Sequence, residues 1–536
     1  MATAETGGAT VKVATVHFRP VLGAVTANRQ QLAALTAEAG QNGAKIVVHT
    51  EMATSGYSYF SREQIAAVAE PVPGPTTQAL GAVARQYGLY VAVGMPVVDT
   101  ATGLFYNSAV LIGPDGAVVG VYRKRNNLLE AAYNAEDYGP VPTFATPYGR
   151  IGIVICADLF YSQFPRLAAL AGAEILLAPA NTGVTTEFLN VRTFENDFSI
   201  VVANRYGKEI QGTPRHVFNQ NSFTIPSPFP YDFSFGSRSV IMTSSGDVLA
   251  DISEPETKIG YGDLPIATGR TFPVVRRPDL YQLMGQDTLE TYTFSQFHLP
   301  DPAIFAAAAV DPGTSATPWQ AAATAAANAL AEAKRLGYTL KLIVYPEAYF
   351  ANRDRQGIAL LQSFATGNNV DLVLSYGLVP PLTELLTPSG ESYTYTRTHR
   401  GRTEPIPPDR LSSDFLVIDR EYARLALLQD RDLFAPETSV VMAKMGVDVV
   451  AVNADFAQQA LSGLWKSRTG NYLHLVVANK LEKEGIYLGG YKANPSFKEA
   501  DGMVVMQMNT ADVRSKKEPR FLDFLPLVQP CSGTNC

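Results

Sequence analysis

The sequence predicts an α/β protein in which one arrangement occurs twice. Short apolar runs rich in β-branched residues, such as Ile151-Gly152-Ile153-Val154-Ile155 and Ile175-Leu176-Leu177, alternate with stretches of helical spacing. That alternation is what strands buried on both faces and joined by helices produce. At 536 residues the chain is too long for one ordinary core, so two large domains are expected. The second half also repeats the order of the first, from an apolar run over 304–310 onward.

In chain order, residues 11–16 read as a first strand, and the spacing predicts a helix over 28–43 that Gly40 and Gly43 stop. A second strand over 45–51 ends on the carboxylate of Glu51, and residues 52–57 form a loop. A helix over 76–87 and a strand over 90–94 follow. Residues 107–124 form a hairpin, because Pro114-Asp115-Gly116 is turn chemistry between two β-rich runs. The hairpin delivers Lys124 to a strand end, where a lysine is ordinarily solvated. The strand over 151–155 runs into Cys156 at a sharp strand-to-helix turn, where a side chain can be exposed and the following N–H groups are free to donate. A helix over 164–171 and a strand at 175–177 come next, and a Pro- and aromatic-rich insertion over 208–235 precedes a strand at 239–241. In the second half an Ala-rich helix over 319–336 and strands over 341–347, 370–378 and 449–453 match their counterparts. Tyr395-Thr396-Arg397 stands where Tyr122-Arg123-Lys124 stands, and Asp432-Leu433-Phe434 is in register with Asp158-Leu159-Phe160.

Composition narrows the function classes. Net charge is -7 with no basic cluster, which argues against nucleic acid as a partner. No apolar run reaches transmembrane length, and residues 1–10 lack the apolar core of a signal peptide. Three cysteines, two of them (Cys531 and Cys536) in a polar tail, are no disulfide framework. A reduced, cytoplasmic protein is expected, acting without metal or cofactor and without a membrane partner.

Taken singly, Cys156 reads equally as a buried structural thiol, and Glu51 and Lys124 as solvated strand ends. Taken together, the three end successive β-rich runs in the order Glu, Lys, Cys. Thr50-Glu51-Met52 before Gly56-Tyr57, Tyr122-Arg123-Lys124 after Pro-Asp-Gly, and Gly149-Arg150-Ile151-Gly152-Ile153-Val154-Ile155-Cys156-Ala157-Asp158 resemble the carbon–nitrogen hydrolase (nitrilase) superfamily over residues 11 to about 281. The resemblance implies tandem four-layer αββα sandwiches: a catalytic domain over 1–285 and a degenerate copy over 286–536, more safely from about 296. It implies Cys156 as nucleophile, Glu51 as base and Lys124 as oxyanion ligand beside the backbone N–H of Ala157. It also implies a second carboxylate, Glu130 first and Glu136 second.

Nitrile-cleaving members resemble Cys-Trp-Glu at the nucleophile, whereas Cys156-Ala157-Asp158 resembles the amide-cleaving branches. The run with Asn126, Glu130, Tyr133 and Asn134 is similar to the vanin and biotinidase group. The substrate is therefore expected to be a small-molecule amide, held by Tyr57, Ala157, Phe160, Tyr161 and Asn181, with Tyr59, Phe60 and the 208–235 insertion nearby. Nitrile or N-carbamoyl hydrolysis, and a non-catalytic scaffold, are the alternatives; an intact Glu51, Lys124 and Cys156 set favours an enzyme. In the second half Glu347 keeps the Glu, Arg397 replaces the Lys and Asp430 replaces the Cys, so that half is expected to be inactive. It is expected to serve as a built-in partner in an intramolecular pseudo-dimer, with further homo-oligomerisation open.

Overall fold

The computed structural model describes residues 9–59, 61–126, 133, 141–210, 215–218, 224–227, 232–235, 238–267, 269, 271–285, 299–456, 462–489, 496–514, 516 and 525–529. Contacts divide the chain into two compact units, Met1–Thr271 and Phe272–Cys536. Residues 272–285, which precede the expected boundary, make contacts in the second unit. Val274 bridges Gly401, Arg276 pairs with Glu437 at 3.0 Å, and the Tyr281 hydroxyl meets His399 Nε2 at 2.6 Å.

The first unit opens with β1 (Thr10–His17), α1 (Val25–Gln41), β2 (Ile46–Val48), α2 (Arg62–Ala66), α3 (Pro75–Tyr87), β3 (Tyr90–Val98), β4 (Phe105–Ile112) and β5 (Val118–Arg123). It continues with β6 (Thr143–Thr146), β7 (Gly149–Ile153), α4 (Gln163–Leu170), β8 (Ile175–Ala180), α5 (Thr186–Asn196) and β9 (Ser199–Asn204). The described parts of the insertion are β10 (Gly207–Ile210), β11 (Arg215–Phe218), β12 (Thr224–Ser227) and β13 (Asp232–Phe235), paired β10 with β13 and β11 with β12. Then come β14 (Ser239–Met242), β15 (Val248–Ile252) and β16 (Lys258–Pro265).

Two six-stranded sheets result, ordered β16-β1-β2-β3-β4-β5 and β15-β14-β9-β8-β7-β6. Their central strands pair in parallel, which is why they read as unbroken apolar runs. The sheets face each other, pinned by Thr15 Oγ1 donating to Val202 O (2.8 Å) and by His17 Nδ1 and Ser239 Oγ (2.8 Å). Leu32 and Ala39 of α1 and Leu80 and Ala84 of α3 pack with Val47, Val91 and Val93 on the outer face of the first sheet. Helices α4 and α5 cover the second, completing the four layers.

The second unit contains β17 (Ile304–Val310), α6 (Pro318–Arg335), β18 (Leu340–Val344), α7 (Arg355–Asn368), β19 (Asp371–Tyr376), β20 (Leu382–Leu386), β21 (Ser392–Thr396), β22 (Leu416–Arg420) and β23 (Ala423–Gln429). After these come α8 (Asp430–Phe434), α9 (Pro436–Lys444), β24 (Val449–Ala454), α10 (Ser462–Thr469), β25 (His474–Asn479), β26 (Glu484–Tyr487), β27 (Phe497–Ala500) and β28 (Met503–Asn509). Its sheets run β21-β20-β19-β18-β17-β28 and β22-β23-β24-β25-β26-β27. Ala322, Ala326, Ala329 and Ala333 form the buried stripe of α6 against Ala306 and Ala308 of β17. Their spacing is that of one helix face, and their small side chains let helix and sheet approach closely. Among the described residues no helix is long and apolar enough to cross a membrane.

Candidate active site

Glu51 lies three residues beyond β2, in a turn, and is fully buried. The turn is tight: Met52 takes φ 52°, a left-handed value that costs a non-glycine residue free energy. The backbone folds over Gly94 of β3, whose O accepts from Ala53 N at 2.7 Å. A Cβ at Gly94 would stand 2.4 Å from Thr50 O and 2.6 Å from Glu51 Cα, so only glycine permits this approach.

Lys124 follows β5, and its N donates to Asn107 O at 2.8 Å, continuing the β4–β5 ladder. Contrary to the default for a strand-end lysine, only 1% of its surface is exposed. Its Nζ lies 2.9 Å from Glu51 Oε1, and Asn107 Nδ2 donates to the same oxygen at 2.6 Å. Burying both charges carries a desolvation cost that short, hydrogen-bonded geometry can offset.

Cys156 opens a 3-10 turn, Cys156–Phe160, just beyond β7; it is 5% exposed and has φ 51°. Asp158, fully buried, fixes this turn. It accepts from Ile155 N (3.2 Å), from the Tyr122 hydroxyl (2.7 Å) and from Asn126 N (3.0 Å). One carboxylate thus ties the turn bearing Cys156 to the strand end bearing Lys124. Burial pushes the Asp158 pKa up, against the opposing pull of Lys124 and of these hydrogen bonds.

The expected substrate-contacting residues fall in different settings. Tyr57 is half-buried, with Lys124 Nζ 5.9 Å from its ring centre. Asn181 follows β8 and is 8% exposed, and neither polar atom of its side chain has a hydrogen-bond partner among the described residues. Ala157 and Tyr161 are half-buried, whereas Phe160 is 42% exposed and tilts against Phe188. Glu130, Glu136, Phe60, Cys531 and Cys536 lie outside the described residues. Tyr133, between the two glutamates, directs its hydroxyl at the Met52 sulfur, 3.6 Å away.

Sequence reasoning missed the roles of Asn107, Gly94 and Asp158, and also Glu209, whose carboxylate accepts from Tyr57 N at 3.0 Å in the loop after Glu51. Asn107 was legible from the hairpin register, since it stands across from Lys124. Gly94 and Glu209 act through contacts distant in sequence. Among the described residues no group of His, Cys, Asp or Glu could hold a metal ion.

The carbon–nitrogen hydrolase family pattern matches residues 12–273. A nitrilase of Pyrococcus abyssi is 29% identical over 289 residues, covering 53% of this chain and 99% of its own length. An N-carbamoylputrescine amidase of Solanum lycopersicum is 30% identical over 275 residues, covering 47% of this chain and 87% of its own length. A solved amidase from Nesterenkonia sp. aligns with 48% of this chain and 92% of its own at 21% identity, with a TM-score of 0.38. With the pattern matched over residues 12–273 and a 30% identical amidase covered over 87% of its length, the chain belongs to the carbon–nitrogen hydrolase family.

Proposed function

We propose that the first unit hydrolyses the C–N bond of a small-molecule amide through a Cys156 thioester. The observation that carries this reading is the buried Glu51–Lys124 contact at 2.9 Å, together with Asp158, which accepts from Tyr122 and Asn126 on either side of Lys124 and from Ile155 N in the turn that presents Cys156. A free thiol is mostly protonated at neutral pH, and the thiolate is the nucleophile. Glu51 takes the Cys156 proton as sulfur attacks the carbonyl carbon. Lys124 and the Ala157 N–H face the oxyanion that develops. The C–N bond breaks, the amine leaves with the proton, and a thioester remains. Glu51 then deprotonates a water that attacks the thioester, releasing the carboxylic acid and restoring the thiol.

Cys156-Ala157-Asp158 favours amide over nitrile substrates, and the resemblance of the run with Asn126, Glu130, Tyr133 and Asn134 supports a reading beside the vanin and biotinidase group. The relatives named as a nitrilase, an N-carbamoylputrescine amidase and omega-amidases define the substrate panel. Asn181, buried and without a hydrogen-bond partner for its side chain among the described residues, is assigned to the substrate's amide or its polar tail. Residues 286–536, with Arg397 and Asp430 in place of Lys and Cys, are assigned no hydrolytic activity.

The test is a panel of small amides, N-carbamoyl compounds and nitriles, read as ammonia or amine release, together with a thiol-directed probe. Amide turnover with selective labelling of Cys156 is expected. No turnover across the panel, with no preference for Cys156 over Cys531 and Cys536, would leave the scaffold reading.

A further inference from the structure

We propose that Glu209 is a positioning residue for Glu51, acting through Arg205 and through the loop that follows Glu51. This rests on the amidohydrolase reading above. Arg205 follows β9 and Glu209 lies on β10; Arg205 is fully buried, Glu209 is 4% exposed, and the two form an ion pair. Both oxygens of Glu209 accept from Tyr57 N at 3.0 Å, and Oε2 also accepts from Ser58 N at 2.9 Å. Gly56, at φ 83°, passes so close that a Cβ would stand 2.7 Å from Glu209 Oε1. One carboxylate therefore pins the loop that begins at Glu51 and presents Tyr57 near Lys124. The adjoining Asn204 does the same for the other candidate substrate loop: its Oδ1 accepts from Thr182 N at 3.2 Å, beside Asn181.

The charges make the second half of the argument. Burial disfavours the Arg205 cation, and attraction to Glu209 and then to Glu51 favours it. Glu51 is thus in contact with Lys124 and also feels the Arg205 charge. Glu209 engages Arg205, which leaves the Glu51 oxygen to Lys124 and Asn107. The four charges balance in pairs. Without the Glu209 charge the loop after Glu51 loses its anchor and the attraction between Arg205 and Glu51 is no longer offset, which shifts Glu51 from its working position. A misplacement of about 1 Å can cost about a hundredfold in rate.

The experiment uses the full chain and an amide from the panel, with kcat expressed per Cys156 titrated by iodoacetamide, beside KM and Tm. Glu209→Gln keeps the size and one carbonyl acceptor for the loop but removes the charge. It is expected to lower kcat per titrated site by about tenfold to a hundredfold with KM nearly unchanged. Adding Arg205→Met, which removes the uncompensated cation, is expected to bring kcat to within about tenfold of wild type. Should Glu209→Gln alone not fold, the double variant decides, because it buries no unpaired charge: a loss beyond about a hundredfold overturns the proposal. Unchanged kcat per titrated site in Glu209→Gln, with only Tm or the titratable fraction reduced, also overturns it. A wild-type chain with no turnover and no selective Cys156 labelling overturns the hydrolase reading and this one with it, whereas normal wild-type turnover with an unaffected Glu209→Gln overturns the positioning role alone.

Discussion

The turns around Cys156 and Asp430 share one hydrogen-bond scaffold and differ in the chemistry it carries. In the first unit Asp158 accepts from Tyr122, Asn126 N and Ile155 N at 2.7, 3.0 and 3.2 Å. In the second, Asp432 accepts from Tyr395, His399 N and Gln429 N at 2.9, 3.0 and 3.1 Å. The residue after each glutamate, Met52 or Ala348, is left-handed at φ 52°. The scaffold therefore holds without the triad. What changes is the charge it presents. Ser108 pairs with Arg123 and Leu382 with Thr396, so Pro381 stands where Asn107 donates to Glu51. Cys156 sits at φ 51° in a 3-10 turn, whereas Asp430 begins helix α8.

In place of a Glu–Lys pair the second unit has three carboxylates and two guanidinium groups. Arg397 reaches Glu404 at 2.8 Å and Glu347 only at 3.9 Å, and Arg431 bridges Asp430 (2.9 Å) and Glu404 (3.3 Å). Burial first, and the Asp430 charge second, hold the Glu347 carboxyl well above the usual carboxylate range. This cluster presents carboxylates and guanidinium groups where the first unit presents a thiol and an ammonium, which is the ground for proposing no thioester chemistry there. The comparison separates what builds the turn from the side chains the turn presents.

The sharpest way to break this contrast is at the nucleophile. Cys156→Ala should lower amide turnover by about a millionfold, while Asp430→Ala should leave it unchanged; loss of activity in folded Asp430→Ala would show that the second site takes part. Next is the cation. Lys124→Arg imports the residue found at Arg397 and should cost about a hundredfold or more in kcat/KM, since a planar fork does not replace a compact ammonium beside Glu51. Near-normal kinetics there would remove Lys124 from the oxyanion role. The shared scaffold predicts a matched pair: Tyr122→Phe and Tyr395→Phe should each cost about 1–3 kcal/mol in denaturant unfolding, by leaving a buried aspartate short of one donor. Only Tyr122→Phe should also lower kcat; equal effects on kcat would mean that the two turns are not functionally distinct.

The smallest effect is in pH dependence, and its sign differs between the units. The folded pKa of Glu347 is raised, so its contribution is present below the ordinary carboxylate pKa and is lost as pH rises through the folded value. Glu347→Gln should flatten that loss and gain about 1 kcal/mol at pH 8. His49 of the first unit, buried against Thr36 at 2.8 Å, has its pKa lowered from 6.5 to about 3 by desolvation. The unfolded chain then binds the extra proton, so the first unit loses stability as pH falls from 6.5 toward 3. Hydrogen exchange, followed separately in β2 and β18 across pH 4 to 8 (roughly the span these shifts cover), should show acid loosening the first and base the second; parallel profiles would refute the assignment.

Local sequence determined a good deal. The apolar runs and helical stretches placed the elements in order, because burial on two faces and helical spacing leave periodic marks within a few residues. The Pro114-Asp115-Gly116 turn fixed a hairpin, and with it the approach of Lys124 to the end of a strand. The order Glu51, Lys124, Cys156 marked the candidate site, and the repeat marked Glu347, Arg397 and Asp430 as the residues at its matching positions. Tertiary structure alone decided that Lys124 is buried rather than solvated, that Gly94 lets the Glu51 turn close over β3, and that Asp158 ties the cysteine turn to the lysine strand. It also decided that Glu209, 152 residues beyond Tyr57, holds the loop after Glu51. The physical reason is the same in each case. Strand and helix preferences are written in neighbours, whereas desolvation, close backbone approach and the pairing of buried charges depend on residues that only sheet order and the facing of two sheets bring together.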